Sequence, residues 1–295
     1  MVTKSDNTIG NPYHSDENGQ FTSPNESNSS KSISFVPKIT SFGKKRTFFS
    51  DLTNSEKQDL FDAYNSKHGS EAEAISKLKI NYDTSRDKSN EREMKRNMWI
   101  NDEFNSQHSE TKRKDRKATI LLGLPGSGKS TIAVPLMNKQ GMFVVDADNF
   151  KKRISEFRQD PMMVSAVHQE SVDLSNRFRK ELAKDGWNMV IGKVGGDYES
   201  VSGILDDLEK NGYEVDVILN DVPLDVALDR TIGRYERKET SRLVPLSTLI
   251  NADKNVFNTF DKVLEHPIVK KGSIYSNDVP KGTLPKLLHS FKKGE

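Results

Sequence analysis

Ala118-Thr-Ile-Leu-Leu-Gly-Leu-Pro-Gly-Ser-Gly-Lys-Ser-Thr131 is the stretch that decides the fold. Ala118–Leu122 is a short apolar run with strand character, and a helix is expected from Lys129. Between them, Gly123 to Ser130 satisfies Gly, four residues, Gly, Lys, Ser/Thr at every fixed position. The chemistry explains that spacing. Gly126 and Gly128 let backbone N–H groups turn inward around phosphate oxygens, with Ser127 between them in the same cradle. The helix that opens there aims its positive end at the same anion. Lys129 reaches the β- and γ-phosphates, Ser130 offers a hydroxyl to Mg²⁺, and Thr131 is placed for an α-phosphate. ATP with Mg²⁺ is therefore the expected ligand.

Downstream, strands alternate with helices. Met142–Val145 reads as a second strand, followed by a long helix over 162–184. Trp187–Ile191 is a third strand, with a helix over 198–211 after it. Tyr213–Leu219 is a fourth strand, and a helix runs from Leu224 to Arg237. This order predicts an α/β fold: a P-loop NTPase-type parallel sheet with helices on both faces. Ligands in such sheets bind at the carboxyl ends of the strands. Beyond Phe260 the pattern is mixed, and 283–291 reads as a final helix without chemistry.

The second strand runs out into Asp146-Ala-Asp148. Two carboxylates at i and i+2 of a strand point to the same side and repel, so a cation is expected near them. One of them can take the proton of an acceptor hydroxyl in phosphoryl transfer. The plain alternative is a polar strand exit with Asp148 capping the next helix.

Upstream, residues 1–34 are rich in Ser, Asn, Thr, Gly and Pro and read as a disordered tail, or as a translocation signal of an injected protein. Residues 35–115 read as a helical extension and linker. Asn54 caps a helix that Gly69 stops, Ser70 and Glu73 form a capping box for a second, and 91–104 make a third with Met94, Met98, Trp99 and Ile100 on one side. These helices are expected to pack on the domain that follows, 116–295, or on a partner. The basic run 112–117 reads as a solvated linker. The net charge of +2 supplies no field for nucleic acid, and the absence of cysteine excludes disulfides, zinc–thiolate sites and thiol catalysis. No segment approaches the ~20 apolar residues of a membrane span, and the N-terminal residues do not show a basic region followed by an apolar core, so a Sec-type signal is not expected. A cytoplasmic protein is expected, with Sec-independent secretion into a host cell as the other option.

Taken in order, GLPGSGKST, VVDADNFKKR, the helix with His168-Gln-Glu170-Ser171, and the Gly233-Arg234-Tyr-Glu236 segment resemble the zeta-toxin family of P-loop kinases over 118–260. The resemblance implies phosphorylation of a sugar hydroxyl on a nucleotide-linked metabolite. UDP-N-acetylglucosamine at its 3′-hydroxyl is the family's best-known acceptor, and NAD is that of an effector-like branch. It further implies Asp148 as general base and Lys129 on the ATP phosphates. Arg234 and Arg242 would stabilise charge on the transferred group, a task that suits guanidinium forks. Glu170 and Ser171 would lie by the acceptor pocket, with His168 on the same helix and Asp146 beside the base. Many members are held inactive by a small helical antitoxin over the ATP site, so such an antitoxin or a chaperone is an implied partner.

One segment departs from the family pattern. After the third strand, where relatives carry an acidic residue and a hydroxyl-bearing glycine loop, this chain has Gly192-Lys193-Val194-Gly-Gly-Asp197. Lys193 brings a positive charge that suits an acceptor phosphate. The competing readings are a housekeeping small-molecule kinase, a nucleotide-dependent switch or NTPase, and a catalytically dead binder.

Overall fold

In the computed structural model the described residues are 49–237, 244–280 and 282–292. The tail over 1–34 and Arg242 lie outside them. The order of elements is α1 (Asn54–Asn81), α2 (Asn90–Gln107), β1 (Lys117–Leu122), α3 (Lys129–Lys139), β2 (Phe143–Val145), α4 (Ala147–Lys151), α5 (Ser155–Gln159), α6 (His168–Asp185), β3 (Met189–Lys193), α7 (Tyr198–Lys210), β4 (Glu214–Asp221), α8 (Leu224–Glu236), α9 (Leu246–Leu264), β5 (Val269–Ser276) and β6 (Lys286–Lys292).

The strands form one sheet in the order β2-β3-β1-β4-β5-β6, parallel except for the antiparallel β6. β1 is buried from Ala118 to Leu122, which is why it reads as a near-continuous apolar run, broken only by the small Thr119, rather than an alternation. It pairs in register with β3 (Ile120 with Ile191) on one side and with β4 (Ile120 with Val217) on the other. The chain leaves β1 for β2 on one side of it, and from β3 it crosses to β4 on the other side. The carboxyl end of β1 is thus the topological switch point at which ligands bind such sheets.

Three local expectations are corrected. α1 runs through Gly69 without a break: a helical glycine costs only about 1 kcal/mol, and nothing else at that point stops the chain. The long helix after β2 starts at His168, because Pro161–Val164 forms a 3₁₀ turn and α4 and α5 precede it. Residues 286–292 are strand β6, since β5 offers an edge whose hydrogen bonds outweigh a weak helical preference. The run 112–117 is exposed from Arg113 to Lys117, as expected of a linker, but it is docked on the edge of the sheet. Lys112 donates to the Met142 carbonyl at 2.6 Å and lies 4.8 Å from the centre of the Phe143 ring, and Lys114 lies 4.2 Å from that of Trp187. Long cationic stems cover apolar rings while their heads find acceptors or water.

α2 also buries a different face from the one its apolar residues suggest. Met94 and Met98 are exposed, whereas Arg92, Arg96, Trp99, Ile100 and Glu103 are buried. Phe104 stacks on Phe143 of β2 at 5.1 Å and meets Trp187 edge-on. The Gln107 side chain accepts from Val144 N at 2.7 Å and donates to Val144 O at 2.9 Å, so it imitates one more strand residue along the edge of β2. Arg153 and Asn149 both donate to the buried Glu103 carboxylate. α2 is thereby built into the sheet layer that carries the Asp146–Asp148 segment. Among the described residues no helix is long and apolar enough to cross a membrane.

Candidate active site

The loop between β1 and α3 is shaped by its glycines. Gly126 (φ 83°) and Gly128 (φ 78°) are left-handed, where a Cβ is strained. A Cβ on Gly126 would sit 2.5 Å from the Ala227 carbonyl, and one on Gly128 would overlap the Asn277 side-chain amide. So α8 and the segment after β5 press directly on the loop. Ser127 is fully buried, and its N–H donates to Leu124 O at 3.0 Å. It folds the loop from within rather than presenting its side chain. Lys129 donates from Nζ to the carbonyls of Gly123 (2.7 Å) and Leu124 (3.0 Å), which holds its ammonium over the loop. Ser130 is exposed in the first turn of α3, with Thr131 half-buried beside it.

β2 ends at Val145, so Asp146 and Asp148 do not stand on a strand. Asp146 caps α4: its Oδ1 accepts from Asp148 N at 2.9 Å. Asp148 lies inside the first turn, its side chain 44% exposed and held at Oδ1 by the buried Lys151 Nζ at 3.0 Å. The cap is the first aspartate and the solvent-facing carboxylate is the second. The sequence gives no warning of Lys151, because a lysine one turn along a charged helix reads as surface.

The remaining predicted positions separate into two groups. Lys193 ends β3, in the same row of strand ends as the phosphate loop and Asp146, and Asp146 Oδ2 is 3.6 Å from where a Gly192 Cβ would be. Burial pushes the Lys193 ammonium below the usual lysine range; the Arg179 charge pushes the same way and Asp146 opposes it. Arg234 lies in the last turn of α8, one turn beyond Arg230. Burial lowers the Arg230 guanidinium, with Arg234 adding to the shift and Asp278 opposing it. Tyr235 beside it meets the His68 ring edge-on at 5.6 Å, and Tyr64 donates to Val244 O at 3.0 Å, so α1 packs on both flanks of 238–243.

Glu170 belongs to the second group. Its carboxylate accepts from Arg92 Nε at 2.9 Å, from a second Arg92 nitrogen and from Arg96 Nε at 2.8 Å. Arg92 reaches Glu156 as well. Burial works against the Arg92 charge, and the two carboxylates more than offset it, holding the group above the usual arginine range. Glu170 is thus the counter-ion of α2. Ser171 is buried, with its hydroxyl on His168 O at 2.7 Å, and His168 starts α6 half-buried.

The arrangement can hold a polyphosphate at the β1–α3 loop and present one carboxylate, Asp148, to solvent beyond the carboxyl end of β2, one strand (β3) away from β1. Its oxygen donors, the Ser130 hydroxyl and the aspartates, suit a hard cation such as Mg²⁺. The family model described as zeta toxin matches residues 101–280. A search of curated protein sequences finds no match. Among solved structures, a chain from the PezAT chromosomal toxin–antitoxin system of Streptococcus pneumoniae is 19% identical with a TM-score of 0.55, covering 69% of this chain and 81% of that one. The complex of AvrRxo1-ORF1 and AvrRxo1-ORF2 with sulphate ions matches at 18% identity and TM-score 0.56, over 70% and 69% of the two chains. The same pair solved with ATP matches at 18% and 0.55, over 68% of each. At these identities the likeness speaks for the fold.

Proposed function

The chain belongs to the zeta toxin family, and we propose that it is a kinase that moves the γ-phosphoryl group of ATP to a sugar hydroxyl of a nucleotide-linked metabolite, acting as a toxin or effector. The observation that carries this reading is a complete phosphate loop after β1 together with a solvent-facing carboxylate, Asp148, after β2, at the same carboxyl edge of the sheet with β3 between them. Asp148 takes the proton of the acceptor hydroxyl, whose oxygen bonds to the γ-phosphorus as the β–γ bridging P–O bond breaks and ADP leaves. Lys151 keeps the carboxylate in place. Lys129 swings from the loop carbonyls to the phosphates, and Arg234 with Arg242 neutralises the oxygens that gather charge. The Ser130 hydroxyl would hold Mg²⁺, which would supply charge neutralisation on the phosphates. UDP-N-acetylglucosamine and NAD are the acceptors to try first. Each carries a pyrophosphate, and the cationic Lys193 at the end of β3 suits one of its oxygens. By the family resemblance, His168, half-buried at the start of α6, is assigned to the acceptor side, whereas the Ser171 hydroxyl is held internally by the His168 carbonyl. A small helical antitoxin or chaperone over the ATP site is the partner that fits.

The test is transfer of label from γ-labelled ATP in Mg²⁺ to these two acceptors offered in parallel. A labelled product with either one supports the proposal. ATP consumed at the same rate with and without acceptor, with label only in inorganic phosphate, would replace it with an NTPase.

A further inference from the structure

We propose that Asn277, some 150 residues downstream of the phosphate loop, is a positioning residue for the nucleotide phosphates; this rests on the loop binding ATP. The Ser127 carbonyl accepts two side-chain amide N–H groups, from Asn220 Nδ2 at 2.7 Å and from Asn277 Nδ2 at 2.6 Å. Both asparagines are buried, Asn220 at the end of β4 and Asn277 just beyond β5. A loop that cradles phosphates must turn its N–H groups inward and its carbonyls away, because a carbonyl oxygen facing a phosphate repels it. Two fixed amides pull the Ser127 oxygen outward and so hold the Gly126–Lys129 N–H groups in the cradle orientation.

Asn277 is also fixed at its own ends. Its N–H donates to Asp221 O at 2.9 Å, which continues the β4–β5 register. Its carbonyl accepts from Arg230 at 2.8 Å. Arg230 stands on α8, whose Ala227 carbonyl lies against Gly126 and whose next turn carries Arg234. One residue therefore joins the phosphate loop to the helix that bears the arginine. The left-handed Gly128 completes the fit, since only the absence of a Cβ leaves room for the Asn277 amide.

The decisive variant is Asn277→Asp, which keeps shape and volume but sets a carboxylate oxygen against the Ser127 carbonyl. The expected result is a loss of about tenfold or more in affinity for a fluorescent ATP analogue, with a matching rise in KM for ATP and little change in KM for acceptor. Lowering the pH protonates the introduced carboxyl group and restores a donor, so affinity relative to wild type should recover in acid. A purely structural role would instead lower the active fraction, reducing kcat with KM and its pH profile unmoved. An analogue affinity within twofold of wild type would overturn the proposal. Should that variant fail to fold, Asn277→Ala decides it, expected to raise KM for ATP several-fold and overturning the idea if KM is unchanged. Because analogue binding needs no acceptor, failure of wild type to bind would sink the nucleotide reading, and this proposal with it. Binding without label transfer would sink only the acceptor assignment.

Discussion

Replacing Glu170 by alanine should destabilise the fold more than it harms any substrate contact. The carboxylate is 1% exposed, and the guanidinium-bearing side chains of Arg92 and Arg96 are 6% and 8% exposed. Removing one partner of a buried ion pair costs about 3–5 kcal/mol, since the other charge is left without compensation. Here the stranded cations keep secondary partners: Arg92 keeps Glu156 at 2.7 Å, and Arg96 keeps Glu93 at 3.3 Å and the Thr84 carbonyl at 3.2 Å. The lower end of that range, about 3 kcal/mol, is therefore expected. For a domain of this size that lowers the melting temperature by roughly 6–12 °C. Urea unfolding of wild type, Glu170→Ala and Glu170→Gln measures it, with the glutamine variant in between because it retains an acceptor for one guanidinium. If Glu170→Gln unfolded at the wild-type urea concentration and instead raised KM for the acceptor, the carboxylate would belong to the substrate and the counter-ion argument would be wrong.

Gly126→Ala should weaken ATP analogue binding by about tenfold or more, because the left-handed backbone costs about 1–2 kcal/mol and the new Cβ meets the Ala227 carbonyl at 2.5 Å; wild-type affinity would contradict the loop geometry. Lys193→Met should raise the melting temperature and KM for the acceptor together. The Lys193 ammonium is lowered in the folded chain, mainly by burial, so in the window between its folded and unfolded values the unfolded chain binds more protons and stability rises with pH. The methionine variant should flatten that rise, and an unaltered slope in pH-dependent melts would show that Lys193 is not the group responsible.

The strand and phosphate loop were legible because their signals are local: a buried parallel strand is a continuous apolar run, and the loop's glycines are fixed by backbone conformation. The alternation after it gave the parallel sheet for the same reason. What the sequence hid was long-range. Arg92, Arg96 and Glu170 look like surface charges on two separate helices until the fold brings α2 onto α6 and buries all three. Asn220 and Asn277 carry no motif, and only the sheet order places their strand ends beside Ser127. Within the linker run 112–117, Lys112 and Lys114 lie over aromatic rings, which composition cannot tell from fully solvated lysines. The Asp146–Asp148 pair is legible for a reason the backbone does not follow, since β2 ends at Val145 and the first aspartate is a helix cap rather than a strand residue.

The most direct test of the whole account is transfer from γ-labelled ATP to UDP-N-acetylglucosamine or NAD by wild type and by Asp148→Asn, with analogue binding measured on both. Labelled acceptor is expected with wild type, with a loss of at least about 10³-fold in the variant and analogue affinities that agree within a few-fold. Equal turnover by the two proteins would show that Asp148 is not the base and would contradict the mechanism at its centre.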